Sequence, residues 1–287
     1  MSFVDNAYHI VRSEADLYVE EVGPPEGRVL FYLHGGPGYS SYSFRDICGD
    51  DLELYHMIYA DQRGTGRSYS EGSFDIDTLA GDVKGILSGL EQKSATLLAH
   101  GFGALIAIRC AVLYREVERL ILVNPWVSMP VLALSLRRAA ASFSGPSDEN
   151  DEIFKELPAV SEIDPETELE QAFSKVPAKQ LLDRLEFPNP SSRLRLEHSD
   201  AQALTGPQQM AAPEDTWSAD VTDELRQVDQ PIVVIVGQRD GTTYPEQAEL
   251  VLKNAPRALV SYLDTGHYPW LDDPESFFLV LGEAVET

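Results

Sequence analysis

The feature that most constrains this sequence is an alternation of short apolar runs with stretches of helical periodicity. The runs occupy residues 29–33, 56–60, 95–99, 120–123, 232–236 and 259–263. Between two of them, Leu79, Val83, Ile86, Leu87 and Leu90 share one helical face in the stretch 74–90. The stretches 104–114, 245–252 and 274–285 repeat the pattern. Strands that are apolar throughout are buried on both faces, and their alternation with helices implies a mostly parallel sheet. Residues 8–11 and 17–22 read as a hairpin across Ser13, Glu14 and Ala15 that precedes the alternation. The expected class is α/β.

The alternation stops between Pro125 and Gln230. That stretch has helical patches at 131–141, 166–174 and 178–185 but no buried strand pattern. Residues 148–170 carry ten acidic side chains and the single cation Lys155. An insertion between two strands of such a sheet is expected to cover the C-terminal strand edge, where open α/β sheets bind ligands. The expected division is therefore a core of residues 1–125 and 231–287 and a helical cap of residues 126–230. No internal repeat is present.

Charge narrows the function. The 47 acidic residues outnumber the 22 basic ones, for a net charge of −25. Nucleic-acid affinity rests on Lys and Arg neutralising phosphates, so such a partner is not expected, and neither is an anionic membrane surface. The longest apolar runs are far too short to span a bilayer. Asp5, His9 and Arg12 interrupt the start, so no secretory signal is expected. Cys48 and Cys110 have no disulfide-framework or metal-ligand spacing; reduced thiols in a cytoplasmic protein are the expectation, with no metal and no organic cofactor. The acidic excess reads either as a solvated surface or, in part, as carboxylates that attract a cationic small molecule.

Five short segments at strand ends carry chemistry. His34-Gly35-Gly36-Pro37-Gly38 follows residues 29–33, and its glycines let backbone amides point into a cavity where they can hold a developing oxyanion. Residues 61–68, Asp-Gln-Arg-Gly-Thr-Gly-Arg-Ser, follow the next run; Asp61 and Arg63 are expected to anchor loops rather than to react. Ala99-His100-Gly101-Phe102-Gly103-Ala104 stands at a strand-to-helix turn of the kind written G-x-S-x-G, which presents a nucleophilic serine. Here that position is Gly101. Asp240 and His267 then follow the last two runs, in the chain order nucleophile, acid, base. At adjacent strand ends the carboxylate can orient the imidazole and stabilise its protonated form.

Taken together these segments resemble the α/β-hydrolase family and, within it, the proline iminopeptidase branch. The His34–Gly38 loop and the Asp61–Ser68 run are similar to that branch's signatures. The resemblance implies an α/β-hydrolase fold with a sheet of about eight strands and an inserted cap. It implies an oxyanion hole from the amides of Gly36 and Phe102, Asp240 as acid and His267 as base, with Gly35 beside the substrate. It implies a substrate that is a short peptide with N-terminal proline, another small amine-bearing amide, or a small ester or lactone. Iminopeptidases bind the substrate's free amino terminus with cap glutamates; Glu214 and Trp217, or the acidic stretch 148–170, are candidates for that task. The likeness covers the sheet-forming parts.

Gly101 leaves three readings open. The chain is a hydrolase whose serine has been replaced, a natural ligand-binding protein, or an unusual cofactor-free enzyme, such as a lyase, in which His267 acts on water or on a substrate proton directly. In each, a serine acyl-enzyme cannot form.

Overall fold

All six apolar runs become strands of one sheet in the computed structural model, which describes residues 3–143, 157–203 and 214–286. β1 (Val4–Arg12) and β2 (Ala15–Gly23) form the expected hairpin. Both strands run further than the apolar pattern reaches, because the added positions of β1 face water and carry no hydrophobic signal. β3 (Val29–Leu33), β4 (His56–Ala60), the two-residue β5 (Tyr69–Ser70), β6 (Ala95–His100), β7 (Val117–Val123), β8 (Ile232–Gly237) and β9 (Leu259–Leu263) follow. The spatial order is β1-β2-β4-β3-β6-β7-β8-β9, with β5 paired to β2 off this path. β2 runs antiparallel to both β1 and β4, and every pairing from β4 to β9 is parallel.

Period-two alternation divides the strand residues between two cores. Phe31, Leu33, Leu97, Ala99, Leu120, Leu122, Val234 and Val236 face one cluster. Leu30, Tyr32, Leu98, Ile121, Val123, Val233 and Ile235 face the other. The helices α1 (Tyr42–Cys48), α2 (Ile76–Gly89) and α3 (Gly103–Leu113) fill the connections in the first half. α2 and α3 cover the first face; α1 presents Phe44 and Cys48 to the second. Asp75 caps α2 by accepting a hydrogen bond from the Thr78 amide, which satisfies one otherwise unpaired N–H of the first turn.

Between β7 and β8 lie α4 (Met129–Phe143), α5 (Pro165–Lys175), α6 (Ala178–Glu186), α7 (Pro190–Asp200) and the single turn α8 (Thr222–Leu225). The first three coincide with the helical patches in the sequence. α7 has no such patch, because Arg193, Arg195, Glu197 and His198 interrupt its apolar face. Val131, Leu132, Leu136, Leu169, Ala172 and Leu181 join the first core cluster, and α4 packs chiefly against α5. Then come α9 (Glu246–Asn254), the short α10 (Pro269–Asp272) and α11 (Pro274–Glu286), with α11 closing the second face through Phe277 and Leu281. Part of the acidic stretch 148–170, namely 148–156, lies outside the described residues.

One close approach fixes the elbow against the sheet. A Cβ at Gly103 would run into the carbonyl oxygen of Leu33 and would stand 2.9 Å from that of His34. Only glycine lets α3 start this near β3. Gly103→Ala should therefore lower unfolding free energy by about 1–3 kcal/mol, read from the midpoint of urea unfolding. An unchanged midpoint would mean that the helix shifts at no cost.

Candidate active site

Each chemistry-bearing segment of the sequence follows the C-terminal end of a parallel strand, so the topology alone gathers them on one edge of the sheet. Side-chain hydrogen bonds then hold the loops to one another. The Gln62 amide donates to His34 Nε2 at 3.0 Å, and Gln62 Nε2 donates to the His34 carbonyl at 2.8 Å. His34 Nδ1 in turn donates to the Gly35 carbonyl at 2.6 Å. Burial lowers the pKa of His34, so the ring is neutral, as that pattern of one donor and one acceptor requires.

Asp61 and Arg63 do the anchoring expected of them. Asp61 accepts from the Ser41 amide (2.8 Å), Ser41 Oγ (2.7 Å), the Arg67 amide (2.8 Å) and Arg67 Nε (2.7 Å). Burial alone would raise its carboxyl; the hydrogen bonds and charge of Arg67 outweigh burial and hold it below its ordinary value. Arg63 grips Asp82 of α2 through two bonds of 2.6 and 2.7 Å. A buried bidentate pair of this kind fixes orientation more than it adds stability.

Gly101 has φ +50, the left-handed turn that an elbow requires and glycine adopts freely. Its amide donates to Val123, and its carbonyl accepts from Trp126 and Ala104 at 3.0 and 3.1 Å. A Cβ built on Gly101 would stand 3.2 Å from His267 Nε2 and 3.5 Å from Cε1, with the next atom, Gly35 Cα, at 3.9 Å. The backbone thus aims position 101 at the imidazole.

His267 Nδ1 donates to Asp240 Oδ2 at 2.7 Å, and both groups are almost fully buried. Asp240 Oδ1 accepts from the Thr242 amide and hydroxyl at 2.9 and 2.7 Å. Thr242 Oγ1 accepts from the Trp126 indole at 3.3 Å, and the indole ring lies over His267 at 5.4 Å between centroids. This tautomer leaves the lone pair of Nε2 facing Gly101. Burial would lower the pKa of His267; the charge and hydrogen bond of Asp240, with the charge of Glu186, raise it instead. Burial would raise Asp240, and His267 and Thr242 hold it low.

Three positioning residues have no signal in the sequence. Asn124, at φ +43 after β7, donates to the carbonyls of Gly266 and His267 at 3.0 and 2.9 Å and accepts from the Gly237 amide at 2.7 Å. It ties the Asp240 and His267 loops together. His100 Nε2 donates to the His267 carbonyl at 2.9 Å, its ring neutral because burial and the neighbouring imidazole lower its pKa. The carbonyl of Glu186 accepts from the His267 amide at 2.9 Å. An Asn in the residue run after a strand, or a Glu at a helix end, is too common to single out from sequence alone.

Beside this centre lies a cavity of about 450 Å³. Gly36–Ser40 and Trp126 line it from the sheet edge, and Leu136, Phe173, Leu182 and Trp217 from the inserted segment. Glu186 and Asp200 also face it. Burial pushes the Glu186 carboxyl up to about 7, the charge of His267 opposing and those of Asp240 and Asp183 adding. Burial raises Asp200 as well, against a hydrogen bond from Ser43. A larger groove of about 610 Å³ sits beside Ile232 at the opening of β8, at the other edge of the sheet from this centre.

Of the sequence candidates, Gly101, Asp240 and His267 come together, with Phe102 next to Gly101 and Gly36 at the cavity wall. Neither the Gly36 nor the Phe102 amide donates to a protein acceptor among the described residues. Gly35 packs on His100 rather than lining the cavity. Trp217 lines it; the side chain of Glu214 lies outside the described residues. Among the described residues no group of three or more His, Cys, Asp or Glu could hold a metal, and no helix is long and apolar enough to cross a membrane.

A family model for the alpha/beta hydrolase fold matches residues 28–274, and the chain belongs to that family. It is similar over its whole length to a proline iminopeptidase-related protein of Thermus thermophilus, 36% identical with a TM-score of 0.83, covering 98% of that chain. With the proline iminopeptidase of Saccharolobus solfataricus it shares 24% identity over 90% of this chain and 85% of that one; together with the 36%-identical Thermus protein this puts it in the proline iminopeptidase-like branch. Epoxide hydrolase 2 of Caenorhabditis elegans is 34% identical over 111 residues, and the match spans about a third of that relative's length (31%).

Proposed function

We propose that this chain is built as an amide or ester hydrolase of the prolyl aminopeptidase type in which Gly101 closes the acyl-enzyme route. The observation that carries the reading is the Asp240–His267 pair at 2.7 Å with Nε2 directed at position 101. With a serine there, His267 takes the hydroxyl proton, the attacked carbonyl oxygen goes to the amides of Gly36 and Phe102, and the imidazolium returns the proton to the leaving group. The segment 126–230 acts as the cap that closes over the substrate, and Gly35 shapes the turn behind the oxyanion loop.

The preferred substrate is a small amide with a cationic amine, such as a peptide with N-terminal proline. Glu186 and Asp200 on the wall of a 450 Å³ cavity support this, since an ammonium group there would pair with one buried and one half-buried carboxyl group. Trp217 supplies an aromatic face for the apolar part. A small ester or lactone is favoured by a different observation: most of the lining is apolar, through Leu132, Leu136, Phe173 and Leu182. The test is Gly101→Ser assayed on a proline arylamide and a short aryl ester. Hydrolysis of the arylamide supports the peptidase reading and hydrolysis of the ester alone the second. Tight calorimetric binding without turnover in either form would replace both with a ligand-binding protein.

A further inference from the structure

The position that a side chain at 101 would occupy has an unusual distance attached to it. An ideal Cβ stands 3.2 Å from His267 Nε2. For carbon against nitrogen that is tight, and the imidazole would have to give way. Gly101 carries no Cβ, so that crowding is absent and a water oxygen can approach the Nε2 lone pair at hydrogen-bond distance. The next two atoms, Cε1 of the same ring and Gly35 Cα, stand 3.5 and 3.9 Å from that Cβ position, which leaves room beside it for a water that keeps clear of Gly101 Cα.

The proton inventory agrees. Nδ1 of His267 is committed as a donor to Asp240, so Nε2 is an acceptor, and no described residue donates to it. The amides of Gly36 and Phe102 likewise have no protein acceptor among the described residues.

We propose that in the chain as it stands His267 draws a water molecule into the place of the serine hydroxyl and hydrolyses activated esters in a single displacement. The proposal rests on the hydrolase reading of the site and adds the nucleophile. The water oxygen forms a bond to the acyl carbon while Nε2 takes one of its protons. The carbonyl oxygen becomes an oxyanion held by the two free amides. Collapse breaks the bond to the leaving group, which departs with the proton from Nε2, and the acid is released. The substrate class is an acyl group on a phenolic or thiol leaving group, because water is a weaker nucleophile than an oriented serine and needs a leaving group that departs readily.

The test follows p-nitrophenyl acetate hydrolysis by the unaltered chain, His267→Ala, Gly101→Ala and Gly101→Ser, each checked for melting above the assay temperature. The unaltered chain should turn over steadily with no burst. His267→Ala should lose about 100-fold of that rate, the size of a general-base contribution. Gly101→Ala should lose a similar factor, since its methyl, 3.2 Å from Nε2, crowds the water away from that nitrogen, while a ring shift of a few tenths of an ångström keeps the bond to Asp240. Gly101→Ser should show a burst and react with a fluorophosphonate. A rate in the unaltered chain no higher than in His267→Ala, or one that survives Gly101→Ala, overturns the water route. So does a burst in the unaltered chain. If those failures come with an active, fluorophosphonate-labelled Ser variant, the hydrolase reading stands; if the Ser variant is also inert, that reading falls with it.

Discussion

Gly101→Ser should raise kcat for a hydrolysable amide or ester by a factor on the order of 10⁴ and lower the melting temperature. The gain follows from completing a set that acts as a unit, since loss of one member leaves only what the oxyanion donors and binding supply. The loss of stability has two sources. Serine at φ +50 is in a conformation that costs a non-glycine residue about 1–2 kcal/mol. Its Cβ also presses on Nε2 from 3.2 Å, so the ring must shift by a few tenths of an ångström. Against this, replacing glycine reduces the freedom of the unfolded chain by about 0.4–1 kcal/mol. The net is a destabilisation of about 1 kcal/mol, a drop of roughly 2–4 °C. Calorimetric melting and a stopped-flow assay on the two substrates decide it. A serine form that hydrolyses neither and melts no lower would remove the main support for the hydrolase reading.

Glu186→Gln should stabilise the fold at pH 8 by roughly 3 kcal/mol, from a shift of about 2.5 units at about 1.4 kcal/mol per unit. The folded carboxyl is raised from 4.5 to about 7, chiefly by burial. Its proton is therefore held more tightly in the folded than in the unfolded chain, and the associated stability is complete below pH 4.5 and lost as pH rises to about 7. Glutamine has no charge to bury, so its advantage should grow through that window and level off above it. His267, also raised, adds a loss of the same sign above its ordinary titration range, while the lowered Asp240 and Asp61 withdraw stability only under strong acid. The protein should thus be most stable on the acid side of neutrality. Urea midpoints at pH 5 and pH 8 measure this; a variant with the same difference between them as the unaltered chain would show that Glu186 is ionised at both. The substitution should also move the rising limb of any His267-dependent activity to lower pH, because the charge of Glu186 is one of the groups that raises the imidazole.

A buried carboxyl that lowers stability at neutral pH and faces the cavity is what the proposed amine-binding role of Glu186 requires. That property is not legible in the chain. Glu186 ends an ordinary amphipathic helix, in the run Asp183-Arg184-Leu185-Glu186, where the pattern suggests a solvated face. Its burial comes from the loop around Gly266 and His267, some eighty residues away in sequence.

The sheet and the elbow are legible because their determinants are local. Apolar runs of strand length, glycines at strand ends and the order Gly101, Asp240, His267 are written in consecutive residues, and a parallel α/β topology brings all strand ends to one edge whatever the loops do. β1 beyond the hairpin and α7 escape such a reading because exposed backbone pairing and a charge-interrupted helix leave no periodic trace. What the tertiary structure alone decided is how the edge is finished. Asn124 clasping two loops, Thr242 and Trp126 closing around the Asp240–His267 pair, and the 3.2 Å between position 101 and Nε2 are all distances between residues remote in sequence. Composition and periodicity report which side chains prefer burial; only packing sets which of them meet, and at what separation.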